Sequence, residues 1–330
     1  MKGQKSAVVF IVQAFCWYAF ALSPARVWGD DILENAKKEG EVVFYASLNA
    51  QNSQALASVF EKKYPFIKVA VTRIGSERMA TRLVAEAQSK KVRADVIHQS
   101  GFDFYGVLQR GILEAYDSPE RSFFPAEYRD SQGFWTVGGI ILNVISYNTR
   151  MVPASEVPKG FWDLTQPKWK GQMLMDENES KWMAGVFHYY GEVKATELMR
   201  KLAAQDLQFR AGHALIDTLV AAGERPIGVV AFADGVERLK KEAAPIEWVV
   251  GEPLIGLTLC LGLAKNAPHP NAAKLFLDFV LSRSGQEVLA GANHYAARTD
   301  VQSPILKRVP RGVKVIPLPM EMAKQYNDYF

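Results

Sequence analysis

The sequence predicts an α/β protein built as two lobes, each a sheet flanked by helices, joined by hinge strands. Three observations predict it. Apolar runs of strand length alternate with amphipathic helical stretches in two separate series, over 41–110 and 172–242. Two longer β-type runs, 134–148 and 256–264, bracket the second series and belong to neither. The length, 330 residues, exceeds what one hydrophobic core usually serves.

Residues 1–29 stand apart. Lys2 and Lys5 precede an uncharged apolar run, Ala7 to Leu22, and Val27-Trp28-Gly29 offers small or permissive residues for cleavage. This is the three-part pattern of a secretory leader, with an uncleaved N-terminal anchor as the alternative. Removing it takes the formal net charge from +4 to +1, so no basic field of the kind that binds nucleic acid is expected. Cys16 leaves with the leader and Cys260 remains alone, which excludes an intrachain disulfide and a cysteine-metal site.

The first series opens with an amphipathic helix, Asp31 to Lys38, closed by Gly40. Strand 41–46 follows, then a polar stretch, 47–53, that can cap a helix over 54–63. Pro65 stops that helix, strand 67–72 comes next, and Gly75-Ser76 opens another helix. Strand 94–98 and helix 102–110 complete the series, which predicts a parallel sheet covered by helices. An irregular link spans 118–133. The run from Phe134 to Asn148 reads as a strand leaving the first lobe. The second series places strands at 172–175, 207–209 and 227–232 and helices at 181–190, 194–203, 213–222 and 234–242. Strand 256–264 is placed to return to the first lobe, and helix 271–282 follows it. The tail beyond Asp300 carries little signal.

Several segments are specific as an ordered set: Asp31–Tyr45, Phe60–Pro65, Ala94–Val96, Tyr147–Thr149, Trp162–Leu164, Pro167–Gly171, Ala267–Phe279 and Ser284–Gln286. In them the chain resembles the iron/thiamine/putrescine-type group of bacterial extracellular solute-binding proteins. The resemblance implies a type II-like periplasmic-binding-protein fold, with the first lobe over 30–138 and 255–300 and the second over 139–254 and 301–330. It also implies a periplasmic monomer that closes on a small solute and delivers it to an inner-membrane ABC permease with a separate ATPase subunit. No cofactor and no catalysis are expected. The motifs of nucleotide binding, zinc proteolysis and serine hydrolysis are absent, and the five histidines are scattered. A periplasmic sensor is the other reading of the same fold.

In open α/β sheets a ligand lies beyond the strand ends, so the loops 47–49, 74–78 and 98–102 are expected to line one wall of a site. Ser47, Asn49, Gly75, Ser76, Ser100 and Gly101 stand at helix starts there, which suits a carboxylate, phosphate or sulfonate as well as simple capping. Opposite, the loop 176–180 carries Asp176 and Glu177, which suit a cation or merely begin a helix, and Trp182, which suits stacking or the core. Arg210 could hold an acid group, His213 could serve as a ligand contact, metal donor or cap, and Phe232 and Asp234 follow the last strand of the series. Relatives that bind ferric iron carry adjacent tyrosines near this last position, where this chain reads Ala231 to Gly235. Whether a metal is bound stays open. Ferric iron and thiamine are the alternative cargoes to a small polar or zwitterionic solute.

Overall fold

The computed structural model describes residues 28–320 together with 322 and 323. The expected leader lies outside the described residues except for Trp28 and Gly29, and so does the end of the tail, 324–330. The chain begins with helix α1 (Trp28–Glu39), whose end is set by Gly40 at φ +69°. There the Gly40 N–H donates to Ala36 O at 3.0 Å, which closes the last turn in a conformation that favours glycine.

Strands β1 (Glu41–Ala46), β2 (Lys68–Arg73) and β3 (Val96–Ser100) are parallel and alternate with helices α2 (Ala50–Lys63), α3 (Ser76–Gln88) and α4 (Gly101–Gln109). Helix α2 starts earlier than the periodicity predicts. Asn49 accepts from Asn52 N at 2.7 Å, and this cap organises a first turn whose buried members, Asn52 and Ser53, are polar and invisible to a hydrophobic pattern. A two-residue strand, β4 (Leu113–Glu114), precedes the irregular link, which contains two short 3₁₀ turns.

The second half contains β6 (Met173–Asp176), β7 (Gln208–Arg210) and β8 (Ile227–Phe232), again parallel, with helices α5 (Ser180–Ala203), α6 (His213–Ala222) and α7 (Ala233–Lys241). Helix α5 is broken at Gly191 (φ 75°, ψ 169°), the break expected between the helices 181–190 and 194–203. Trp169 is buried, and Trp162 packs against the same apolar cluster.

Between the halves run two long strands, β5 (Thr136–Asn148) and β10 (Leu254–Ala264), the second preceded by β9 (Ile246–Val249). Among the described residues, the strand order β2-β1-β3-β10-β5-β8-β6-β7 joins both halves into one eleven-stranded sheet. The parallel sheet expected of the first series is found in β1, β2 and β3, and the two long strands add antiparallel pairings to it. β10 is antiparallel to β3 and β5, and β5 is antiparallel to β8 and β9. One long strand leaves the first half and the other returns, so neighbours running between the same two regions must point in opposite directions.

The last elements complete the first half. Helix α8 (Pro270–Leu281) brings Phe276 to 4.9 Å from Phe44 and 5.0 Å from Phe60, ring centre to ring centre. Two carboxylates anchor it: Glu39 accepts from Asn271 N at 3.0 Å and Ala272 N at 2.7 Å, and Asp95 accepts from Val43 N and His269 N, both at 2.7 Å. Helix α9 (Arg283–Gly291) follows, then strand β11 (Val315–Pro317) pairing with the start of β10. The tail, expected with the second lobe, is shared: Ile305 joins the core with the first-half residues and Leu318 joins the second cluster.

At the α8–α9 junction, a Cβ on Gly285 would stand 2.2 Å from Phe279 O and 2.6 Å from Val280 O. Backbone cannot yield there as a side chain would, so Gly285→Ala is expected to cost about 1–3 kcal/mol. Urea unfolding checks this: the midpoint should fall with an unchanged slope.

Candidate functional site

A cleft of about 470 Å³ opens where the strand ends of the two halves face each other. Its first wall carries Ser47, Arg73, Gly75, Ser76, Glu77, Arg78 and Ser100, from the ends of β1, β2 and β3. Helices α3 and α4 begin here without a side-chain cap, so their first N–H groups keep the positive end of the helix dipole on this side. The Ser76 hydroxyl accepts from Ser100 N at 3.2 Å, and Ser100 Oγ donates to Asp103 at 2.6 Å. Arg73 and Arg78 are exposed, and neither has a hydrogen-bond or ion-pair partner among the described residues.

The second wall is built around His213. Its ring stacks on Phe232 with centres 3.9 Å apart and planes 14° from parallel. Nε2 lies 2.9 Å from Glu179 Oε1, and Nδ1 lies 3.5 Å from Asp176 Oδ2. Burial on its own would lower the pKa of His213, but Glu179, then Asp176 and Asp217, outweigh it and hold the imidazole above its usual value. Burial pushes Glu179 up. Asp176 is occupied: its Oδ2 accepts from Gly212 N at 2.7 Å and its Oδ1 from Asn178 N at 2.9 Å. Of the acidic loop expected to face a cation, two carboxylates thus serve the loop itself and His213, while Glu177 is exposed. The floor is made by the two long strands, through Ile141, Asn143, Leu257 and Leu259, with Trp182 at the start of α5.

The two walls touch at the rim. Lys181 Nζ, from the second, lies 2.9 Å from Asp103 and 3.4 Å from Glu77 of the first, and Asn178 Nδ2 donates to Glu77. The structure therefore holds the lobes in contact across the cleft mouth.

Of the residues expected to line a site, Ser47, Gly75, Ser76, Ser100, Asp176, Glu177, Trp182, His213 and Phe232 are on the cleft surface. Four are not. Asn49 is spent as the cap of α2. Gly101 is buried behind the wall, where a Cβ would meet Thr258 Oγ1 at 2.7 Å. Arg210, at the end of the edge strand β7, pairs with Glu224 at 2.7 Å. Asp234, in the first turn of α7 with a largely covered side chain, has Oδ2 3.6 Å from His294 Nε2. Sequence reasoning missed Arg73, Arg78 and Lys181, although the basic residues flanking Gly75-Ser76 were a visible signal. Among the described residues, no three or more His, Cys, Asp or Glu side chains are grouped to hold a metal ion, and no tyrosine lines the cleft. A separate cavity of about 410 Å³, between the 126–131 link and the tail, involves none of the strand-end loops.

Comparison with known proteins places this geometry. A family model described as bacterial extracellular solute-binding protein matches residues 94–325. An uncharacterized protein of Haemophilus influenzae is 28% identical over 271 residues, covering 77% of this chain and 76% of that one. The Fe(3+)-binding periplasmic protein of Serratia marcescens is 23% identical, covering 79% of each chain. Among solved structures, the periplasmic binding protein AfuA of Actinobacillus pleuropneumoniae, with fructose-6-phosphate bound, superposes with a TM-score of 0.76 at 24% identity, over 88% of this chain and 97% of that one.

Two outcomes follow from the geometry. Lys181→Ala removes the rim contact, so the ligand-free protein should open, seen as a larger radius of gyration in small-angle X-ray scattering. Affinity for a captured solute should fall roughly fivefold, the scale of a partly exposed ion pair. Asp217, buried beneath His213, has its pKa pushed by burial from 3.8 up to about 7. A carboxyl raised on folding binds its proton more tightly in the native state, so this group costs stability as pH rises from about 4 to about 7, and the cost persists above. Asp217→Asn should therefore melt above the wild type at pH 8, with the gap closing towards pH 4 in thermal scans.

Proposed function

We propose that this chain, which belongs to the bacterial extracellular solute-binding protein family, is the solute-capturing component of an ABC importer. The proposal places it in the periplasm as a monomer, with the leader removed. Its lobes are taken as 30–138 with 255–300, and 139–254, the tail being shared between them. A solute first binds one wall, and the other wall then closes over it. Only contacts made to both walls favour the closed form, and that form is what a permease would engage.

The observation that carries a finer reading is the pair of unpartnered arginines. The other charged groups nearest the cleft are largely committed: Lys181 to Asp103 and Glu77, His213 to Glu179, and Asp176 to backbone amides. Arg73 and Arg78 flank the uncapped start of α3, beside Ser47, Ser76 and Ser100. Guanidinium groups, hydroxyls and helix N–H groups together suit an anionic group such as a phosphate or carboxylate. The ligand reported with AfuA, a sugar phosphate, has that chemistry.

Ferric iron, the cargo named for the Serratia relative, has less support. A hard cation asks for several anionic oxygen donors, and the cleft offers no phenolate, while Asp176 and Glu179 are engaged and only Glu177 is left on that wall. Thiamine would want open aromatic faces, yet Trp182 is 1% exposed and one face of Phe232 is covered by His213.

Thermal unfolding of residues 30–330 with hexose phosphates, inorganic phosphate, hydroxy acids, ferric citrate and thiamine tests this reading. A ligand at a hundredfold excess over Kd adds about 2.7 kcal/mol, which a melting curve resolves readily. A rise with organic anions that falls at least tenfold in apparent affinity in the Arg73→Ala/Arg78→Ala double variant is expected. A rise with ferric iron alone would overturn it.

A further inference from the structure

Apart from Glu179 Oε1 and His213 Nε2, which face each other at 2.9 Å, two side chains on the cleft surface have buried polar atoms without a hydrogen-bond partner. Trp182 is 1% exposed and its indole N–H has no hydrogen-bond partner. Asn143, on β5, is 3% exposed; its Oδ1 is buried without a partner, and no hydrogen bond engages its amide nitrogen. The indoles of Trp162 and Trp169 are also unpartnered, but they do not line the cleft. Burying an unpaired donor or acceptor is costly, so two of them on one binding surface call for partners supplied from outside.

Packing alone aims both groups. Trp182 lies 4.8 Å from Phe161, ring centre to ring centre, and α5 sits so tightly on β10 that a Cβ on Gly185 would meet Ile255 at 2.8 Å. Asn143 is fixed in register opposite Phe232 in the strand pair β5–β8. Neither side chain is free to turn away toward another protein group. Around them the surface is apolar, through Ile141, Leu257 and Leu259.

We propose that this floor reads hydroxyl groups on the body of the solute, and so restricts the cargo to hydroxylated anions. The reading rests on the anion site at Arg73 and Arg78 and adds to it. A hydroxyl both accepts and donates. The Trp182 N–H donates to a solute oxygen, the Asn143 carboxamide accepts from a solute O–H, and the apolar strands cover the intervening C–H faces. An anion with a plain alkyl body leaves both protein groups unpaired and is rejected on that account. Such a penalty discriminates more strongly than a change of size does. Polyol phosphates and sugar acids share the required chemistry.

Isothermal titration with matched pairs tests the proposal: glycerol phosphate against propyl phosphate, and gluconate against hexanoate. The wild type is expected to prefer the hydroxylated member of at least one pair by tenfold or more, and which pair does so separates phosphate from carboxylate cargo. Asn143→Leu and Trp182→Phe should bring that ratio towards one, through weaker binding of the hydroxylated member and tighter binding of the alkyl anion. Trp182→Phe carries a risk to folding, so Asn143→Leu stands as the independent variant. Equal binding within both pairs by the wild type overturns the hydroxyl floor and leaves the anion site standing. Equal losses for both members in the Asn143→Leu variant overturn it too. Failure of every anion to bind removes the anion site, and the floor proposal with it.

Discussion

Everything in this molecule hangs on the pairing of β5 with β10. Their antiparallel register runs from Leu142 opposite Gly256 to Thr136 opposite Leu261, with an irregularity at Leu259/Cys260. All of β10 and nearly all of β5 are buried. A strand buried on both faces cannot be moved without disturbing the core on either side. The pair therefore fixes how the two halves of the sheet meet, and its middle residues are at once the join between the lobes and the floor of the cleft. A single structural device thus sets both the join of the two halves and the floor of the cleft.

The charges around the cleft divide by what they are already doing. Carboxylates recur as internal fasteners, as Asp95 and Glu39 do in anchoring α8 and Asp176 does in shaping the His213 loop. Each accepts backbone N–H groups that would otherwise be unpaired, the strong charge-assisted kind of hydrogen bond. Left uncommitted among the described residues are the guanidinium groups of Arg73 and Arg78 on one wall, the exposed Glu177 carboxylate on the other and two neutral polar groups on the floor. Acidic residues dominate the loop 176–179 in the sequence, but two of its three carboxylates are engaged within the protein, Asp176 by backbone amides and Glu179 by His213.

Much of the scaffold was legible. Strands β1 and β8 and helix α6 lie where apolar periodicity and flanking glycines put them. The short elements β4, β9 and α9 were not read, because two to nine residues within larger apolar surroundings leave no distinct period. Alternation with helices marks 134–148 and 256–264 as crossing strands, without saying which neighbours they pair with or in what register. For the cleft, loop position was informative about the wall and silent about the direction of a side chain. Arg210 and Asp234 sit at the ends of their strands as expected, yet one turns to Glu224 and the other to His294. Those choices depend on partners far away in the chain.

The route of the chain through the two halves also sets an order of assembly. Helices α2, α3 and α4 pack on the sheet formed by β1, β2 and β3, but its packing also takes in α8, more than 200 residues after β1, which places Phe276 against Phe44 and Phe60. The strand that seals the edge of β3, β10, comes nearly as late. A nascent chain emerging N-terminus first thus carries an N-terminal third that cannot close its own core until synthesis is four-fifths complete, because Phe276 stands at that point in 330 residues. Native packing is deferred by topology alone.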